Sequence, residues 1–483
     1  MRKELAYIDH PAVMVIFGIT GDLSRRKLLP AIYHLIYDDL LPEHFQIFGL
    51  TRKDLTAKDL AHELFEFIDE KGSCDLGVIQ EIEKRLTMVK FDINNPEDYL
   101  DLRGRIVELE KTSGKCFDIL HYLAVPPKII DPIVTNLGEA NLNIGCSEEA
   151  VSRLLIEKPF GFDLESAETT NRMLKKYFRE DYIYRIDHYM AKETAQNILS
   201  FRFKNPILRG IWNNRHVRHI QITAAEMIDI EGRATFYEQT GALRDMLQSH
   251  LLQLLSLVTM EEPSSTSGFD IAAARAKVLQ EVMPLRPENV IRGQYEGYRD
   301  DVDNQDSLTE TYIAAKVEIE NEHWNGVPIL LRAGKSMAEK LTTIVMYFDD
   351  YTRDAVPPNR LEIRIQPHEG ISLELRAKKP GLEKGWQSVD MEFCYSDLPV
   401  FNQHTAYEQL IVHAIEGDRS LFPGSYEVVQ NWKTVQPLLD KWQKDHQIAS
   451  YPKGSWGPKG ADELRFDTKS GIFSFENEVK PIC

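Results

Sequence analysis

Val13-Met14-Val15-Ile16-Phe17-Gly18-Ile19-Thr20-Gly21-Asp22-Leu23 decides how this chain folds. Its first five residues are a continuous apolar run closed by glycine, the pattern of a strand buried on both faces of a parallel sheet. From Arg25 to Leu40 the apolar residues Leu28, Ala31, Ile32, Leu35 and Ile36 recur at helical spacing. The glycines between strand and helix let the backbone turn sharply and approach a pyrophosphate, while the helix start presents N–H donors. The alternation continues: strands are predicted at 46–50, 88–91, 119–123, 153–156 and 182–186, and helices at 57–70, 96–109, 128–137 and 194–199. This rhythm predicts a Rossmann-like, doubly wound parallel sheet over residues 1–185, with ligands at the carboxyl ends of its strands.

Beyond about residue 210 the pattern changes. Segments 217–223, 311–319, 343–348, 361–366 and 372–376 alternate like strands with one solvated face. Helical spacing returns at 240–260, 264–279, 406–416 and 427–442. Residues 186–483 are therefore expected to form an α+β domain, a large, mainly antiparallel sheet with helices on one face. The other face is left to pair with a second subunit, as a homodimer or homotetramer. The whole chain reads as α/β plus α+β.

The 483 residues are 43% hydrophobic and 27% charged, ordinary for a globular protein, and carry a formal net charge of −18. That charge argues against nucleic acid and anionic membrane as partners, since both attract basic surface. It also gives weight to any place where lysines and arginines gather. The opening Met1–Ala6 lacks the apolar core of a signal peptide, so a cytoplasmic location is expected. Cys74, Cys116, Cys146, Cys394 and Cys483 show neither metal-ligand spacing nor a close pair, and reduced thiols are expected.

Four places carry chemistry. After the second strand comes Thr51-Arg52-Lys53, where NAD-binding folds usually place an acid. A guanidinium there suits a 2′-phosphate, so NADP is the expected cofactor. Lys158, in Glu157-Lys158-Pro159-Phe160-Gly161, sits at a strand end and reaches toward the crevice. Arg185-Ile186-Asp187-His188-Tyr189-Met190-Ala191-Lys192-Glu193 packs an acid, an imidazole, a phenol and a lysine ahead of a helix, a setting that suits a phosphate. His250 lies on an apolar stripe with Leu243, Leu247, Leu254 and Val258. By residue type it reads as a core histidine or as a general base.

These stretches resemble the glucose-6-phosphate dehydrogenase family. The signature Arg-Ile-Asp-His-Tyr-Leu-Gly-Lys-Glu matches 185–193 at all but two positions, and Gly-Asp-Leu-Ala-Lys-Arg-Lys-Leu is similar to the run from Gly21 to Leu28. Arg244-Asp245-Met246-Leu247-Gln248-Ser249-His250 resembles Arg-Asp-x-x-Gln-Asn-His, and Arg332-Ala333-Gly334-Lys335 resembles an Arg-x-Gly-Lys loop. The resemblance runs from about residue 12 to about residue 442. It implies oxidation of glucose 6-phosphate to 6-phosphoglucono-δ-lactone with reduction of NADP, the first step of the oxidative pentose phosphate pathway. His250 would be the base and Asp187 its partner. Lys158, His188, Tyr189, Lys192, Glu226, Asp245, Lys335, Lys340 and Gln366 would bind the substrate. Gly18, Thr20, Gly21, Asp22, Leu23, Lys27, Arg52, Asp92, Ile93 and again Lys158 would hold the cofactor. No metal is implied, because hydride transfer uses the cofactor's own chemistry.

Three departures from the family pattern matter. Ile19 stands where the family carries Gly or Ala, and its branched side chain is expected to crowd the phosphates. Ala191 replaces Gly, a strain only if that backbone needs φ > 0. Ser249 replaces Asn beside the base. Competing readings are a non-catalytic sugar-phosphate or NADPH sensor, a dehydrogenase of another hexose or of free glucose, and a structural oligomer. The presence of both His250 and Asp187 argues against the sensor, and the His188, Tyr189 and Lys192 set against an unphosphorylated substrate.

Overall fold

In the computed structural model two sheets divide the chain. The structure describes residues 10–70, 72, 74–349, 358–382, 384–398, 404–464, 466–468, 471–473 and 475. The first sheet contains β1 (Ala12–Phe17), β2 (Phe45–Thr51), β3 (Leu86–Lys90), β4 (Asp118–Leu123), β5 (Ser152–Glu157) and β6 (Ile183–Ile186), in the order β3-β2-β1-β4-β5-β6. Every pairing is parallel. All six residues of β1 are buried, as expected of a strand with helices on both faces. The chain runs one way from β1 to β2 and the other way to β4, which opens a crevice at the carboxyl ends of β1 and β4.

Ile19 corrects its expectation. Its side chain is fully buried and belongs to the core under the sheet rather than to the turn's outer surface. Gly49 on β2 makes this possible: a Cβ there would lie 2.6 Å from Ile19 Cδ1 and 2.9 Å from Met88 Sδ. The bulk that seemed to crowd the phosphates is thus accommodated by a missing side chain on the neighbouring strand.

The second sheet has nine strands among the described residues. Their order is Trp386–Cys394, Gly370–Lys378, Arg360–Gln366, Leu341–Phe348, Val217–Ala225, Ile329–Gly334, Tyr312–Val317, Val290–Tyr295, Ala449–Tyr451. Most pairings are antiparallel; Val217–Ala225 with Ile329–Gly334, and Val290–Tyr295 with Ala449–Tyr451, are parallel. Helices Leu252–Thr259, Gly268–Glu281 and Ser425–Trp442 pack with this sheet in one continuous apolar core.

The segment after residue 404 returns to the first domain. Helix Ala406–Glu416, capped by Thr405 and closed by Gly417 at φ 80°, places Leu410, Ile411, Ala414 and Ile415 in the core of the parallel sheet, followed by Leu421 and Phe422. Each large apolar side chain buried this way contributes about 1.5–3 kcal/mol. Glu408, buried on the same helix, accepts from His404 Nδ1 at 2.9 Å and meets His34 Nδ1 at 3.3 Å, pinning the helix to Leu29–Tyr37. Farther along, Arg185 is fully buried and donates to Glu180 and Asn171, and Glu180 also accepts from Ser425 N at 2.7 Å. The first residue of the signature stretch is therefore a structural tie between the domains.

Several expectations are corrected. The helix predicted over 240–260 breaks at Gly241 (φ 63°, ψ 179°) and resumes as a π-helical stretch, Leu243–Leu251, before Leu252–Thr259. A Cβ at Gly241 would lie 2.4 Å from Glu310 Oε1, and that same oxygen accepts from Leu243 N at 2.9 Å, capping the new start. Cys116 and Cys146 were expected to be unrelated thiols. They meet with Cα atoms 5.9 Å apart, a separation a disulfide spans. Cys483 lies outside the described residues. Among the described residues no helix is long and apolar enough to cross a membrane.

Candidate active site

The site forms where β5 and β6 end and the π-helical stretch passes over them. Asp187 directly follows β6, and its Oδ1 accepts from Tyr189 N at 3.0 Å and stands 2.6 Å from His250 Nδ1. Both residues are buried. The pairing turns Nδ1 of His250 to Asp187 and leaves Nε2 facing the other way. Burial alone would raise the Asp187 carboxyl. The charge and hydrogen bond of His250, with His188 and Lys158, outweigh it and hold the group at about 2.

Lys158 leaves β5 and meets the other side of the imidazole. Its Nζ lies 2.5 Å from His250 Nε2 and donates to the carbonyl and Oδ1 of Asp245, each at 2.8 Å. Residues five apart face different directions on an α-helix, whereas i→i+5 winding stacks them. The π-helical stretch thereby sets Asp245 and His250 together for one lysine to bridge. Burial opposes ionisation of Asp245, yet the Lys158 ammonium prevails and keeps it well below the ordinary carboxylate range. Ser249, the departure beside the base, donates to Asp245 O at 2.7 Å and so stays within its own helix.

The rings of the signature surround the base. Tyr189 stacks on His250 with centroids 4.1 Å apart and planes at 24°, and His188 meets the same ring edge-on at 4.8 Å. Burial, then the charges of His250 and Lys158, press the His188 imidazole well below its ordinary value, so it is neutral at physiological pH. Ala191 is buried in the first core and is not among the residues with positive φ, so its Cβ is accommodated without strain. Its carbonyl accepts from Gln196 Nε2 at 3.2 Å.

Two further clusters flank the base. Lys335 and Glu226 form an ion pair, with the ammonium 5.3 Å from the Tyr237 ring, and Gln366 Nε2 donates to Thr342 Oγ1 at 3.1 Å. On the other side, Lys192 precedes helix Glu193–Lys204, whose start has no side-chain cap. Burial lowers the Lys192 ammonium, the nearby Lys340 and Lys27 charges lower it further, and Glu369 opposes them. Lys192 thus feels two further lysine charges beside a helix start whose N–H groups have no side-chain cap, in a chain of net charge −18. Lys27 lies in the short π-helical stretch Ser24–Leu28 that follows the turn after β1.

The crevice fits a dinucleotide. Gly18 has φ +80°, and a Cβ there would fall 2.5 Å from Ala124 O, so the turn after β1 closes against the end of β4 only with glycine. Ser24 Oγ donates to Gly18 O at 3.0 Å and fixes the turn, while Thr20, Gly21, Asp22 and Leu23 lead into the basic run Arg25-Arg26-Lys27. Arg52 is exposed at the end of β2. Asp92 and Ile93 follow β3, with Asp92 Oδ1 accepting from Asn94 N and Ile93 O from Tyr99 OH. Tyr237, Thr342, Glu369 and Glu157 adjoin the site but were not predicted. Only Glu157, inside the Glu-Lys-Pro-Phe-Gly stretch, carried a sequence signal.

A parallel dinucleotide-binding sheet whose last strands deliver a carboxylate and a lysine to a buried imidazole defines an oxidoreductase that uses a nicotinamide dinucleotide. Residues 15–197 match the family model described as glucose-6-phosphate dehydrogenase, NAD binding domain, and 199–471 match that of the C-terminal domain. The chain belongs to the glucose-6-phosphate dehydrogenase family. It is 39% identical to glucose-6-phosphate 1-dehydrogenase of Chlamydia muridarum, over 94% of this chain and 95% of that one. It is 37% identical to the protein of that name from Bacillus subtilis, over 94% and 96%. A solved glucose-6-phosphate dehydrogenase in complex with its substrate glucose 6-phosphate superposes with a TM-score of 0.89 at 34% identity, covering 95% of this chain and 97% of that one. The glucose-6-phosphate 1-dehydrogenase of Mycobacterium avium gives 0.84 at 34%, covering 98% and 100%.

Proposed function

We propose that this chain oxidises C1 of glucose 6-phosphate to 6-phosphoglucono-δ-lactone with NADP as the acceptor. The observation that carries this reading is the His250–Asp187 pair at 2.6 Å, set beside the Lys192, Lys340 and Lys27 cluster. When bound, the nicotinamide accepts the C1 hydrogen with its electron pair. His250 Nε2 takes the proton of the C1 hydroxyl, and Asp187 stabilises the imidazolium. For this, the Lys158 ammonium must give up its place at Nε2 to the sugar. Lys158, just after the end of β5, would then contact both the sugar and the nicotinamide. His188, Tyr189, Lys192 and Lys340 hold the 6-phosphate, and Glu226, Asp245, Lys335 and Gln366 bind sugar hydroxyls. Phosphate binding remote from C1 then holds the reacting carbon in place, a proximity effect.

Gly18, Thr20, Gly21, Asp22, Leu23 and Lys27 receive the pyrophosphate, Asp92 and Ile93 the adenine, and Arg52 the 2′-phosphate that selects NADP. The edge strand Trp386–Cys394 exposes Trp386, Val389, Met391 and Phe393, which supports a homodimer or homotetramer built on the antiparallel sheet. We place the enzyme in the cytoplasm, at the entry to the oxidative pentose phosphate pathway. The test is an absorbance assay for reduced nicotinamide with glucose 6-phosphate, run separately with NADP and NAD. Turnover with NADP is expected, and silence with both cofactors rejects the reading in favour of a sensor.

Two variants probe the ligand contacts. Lys192→Ala is expected to raise KM for glucose 6-phosphate roughly 10–100-fold, the weight of a hydrogen bond to a charged group, and to narrow the preference over free glucose. Steady-state kinetics with both sugars decide it, and an unchanged preference rejects the phosphate role. Arg52→Ala is expected to weaken NADP roughly tenfold or more while sparing NAD. Equal losses for the two cofactors, measured by KM, reject the 2′-phosphate role.

A further inference from the structure

Glu157 ends β5, one residue before Lys158, and contacts neither ligand in the reading above. Its Oε1 receives two phenols: Tyr122 OH, from β4, at 2.6 Å, and Tyr407 OH, from the returning helix Ala406–Glu416, at 3.3 Å. The charged groups that face it are Lys158 on its own strand and Asp187 beyond β6. Glu157 pairs on the sheet with Ile186, the residue before Asp187, and its carboxyl is tethered by one phenol from β4 and one from the returning helix. Burial pushes it up to about 7, the two phenols and Lys158 oppose this, and the Asp187 charge adds to it. Tyr122 and Tyr407 are also pushed up, far above the ordinary phenol range, first by burial and then by the Glu157 charge, so they remain donors.

We infer that Glu157 is a positioning residue whose charge, held in place by Tyr122 and Tyr407, strengthens the Asp187–His250 pair as a proton acceptor. When ionised, Glu157 adds a second negative charge on the strand beside Asp187, favouring the imidazolium that forms as the proton leaves the sugar. When neutral, it leaves Asp187 to do this alone. Turnover therefore rises as the carboxyl ionises. This inference rests on the proposed oxidation of glucose 6-phosphate.

The test is the pH profile of kcat for the parent enzyme, Glu157→Gln and Tyr407→Phe. Glutamine keeps an oxygen for both phenols but carries no charge. It is expected to remove the inflection near neutrality and to lower kcat above it roughly three- to tenfold, with KM for glucose 6-phosphate nearly unchanged. Tyr407→Phe removes a donor that favours the ionised form, so the inflection should move to higher pH. A glutamine profile that superposes on the parent's overturns the inference, because a merely structural role would lower stability without reshaping the profile. Should Glu157→Gln fail to fold, an unmoved inflection in Tyr407→Phe overturns it. A failure of the underlying function would look different: the parent itself would be silent with glucose 6-phosphate.

Discussion

His250→Asn lowers kcat by roughly two to four orders of magnitude, the usual contribution of a positioned general base, and leaves KM for glucose 6-phosphate within a few-fold of the parent. The asparagine amide can still donate to Asp187 Oδ1, which now binds His250 at 2.6 Å, so the buried carboxylate keeps a partner. What is lost is the acceptor at Nε2. The lysine cluster around Lys192 and the Glu226–Lys335 pair come from other elements and are untouched. Steady-state kinetics on the folded variant measure both constants. Turnover within tenfold of the parent would remove His250 from the role of base.

Asp187→Asn is expected to cost nearly as much turnover, by a different route. Its amide oxygen can still accept from Tyr189 N, so the turn persists, but the anion that stabilises the imidazolium is gone. The amide can also turn its N–H₂ toward Nδ1 and select the wrong tautomer, as an Asp→Asn change does in Ser–His–Asp hydrolases. A loss in kcat of roughly two to four orders of magnitude follows. Stability gives a second readout. A carboxyl held below its ordinary 3.8 stabilises the parent wherever it is ionised. Because the folded-state value is depressed, that contribution is present above 3.8 and is lost as pH falls through about 2. The gap in melting temperature between parent and variant should therefore shrink over that range. A kcat within threefold of the parent would show that His250 works without its partner.

Much of this was legible because it is local. Val13–Phe17 reads as a buried strand because every one of its residues is covered, and the strand–glycine–helix order carries the parallel sheet with it. The site residues were legible through ordered motifs, and the structure brings Lys158, Asp187, Tyr189, Asp245 and His250 together from stretches far apart in the chain. The helix Leu76–Arg85 was not, since only Ile79 and Ile82 are buried on it and charged residues dominate the rest. The edge strand Trp386–Cys394 was also missed, because its side chains, apart from Cys394, face solvent on both sides of the sheet. The break at Gly241 depends on Glu310, nearly seventy residues on, and the meeting of Cys116 with Cys146 depends on two separate loops. Such couplings leave no periodicity to read. Lys158 at Nε2 of the base is of the same kind: the motif marks the lysine, and only the π-helical winding shows what it touches.

The return of residues 406–422 to the first core gives synthesis of this chain an order of events. Domains generally begin to fold as they leave the ribosome, N-terminal first. Here the parallel sheet is complete once β6 emerges, yet the patch that will receive Leu410, Ile411, Ile415 and Phe422 stays bare until those residues follow. At ordinary elongation rates that interval is on the order of tens of seconds. For that time the nascent dinucleotide domain presents an apolar surface of the kind that chaperones bind. The last segment to join the first core is also the part that delivers Tyr407 to Glu157, so completion of that core and completion of the site's surroundings coincide.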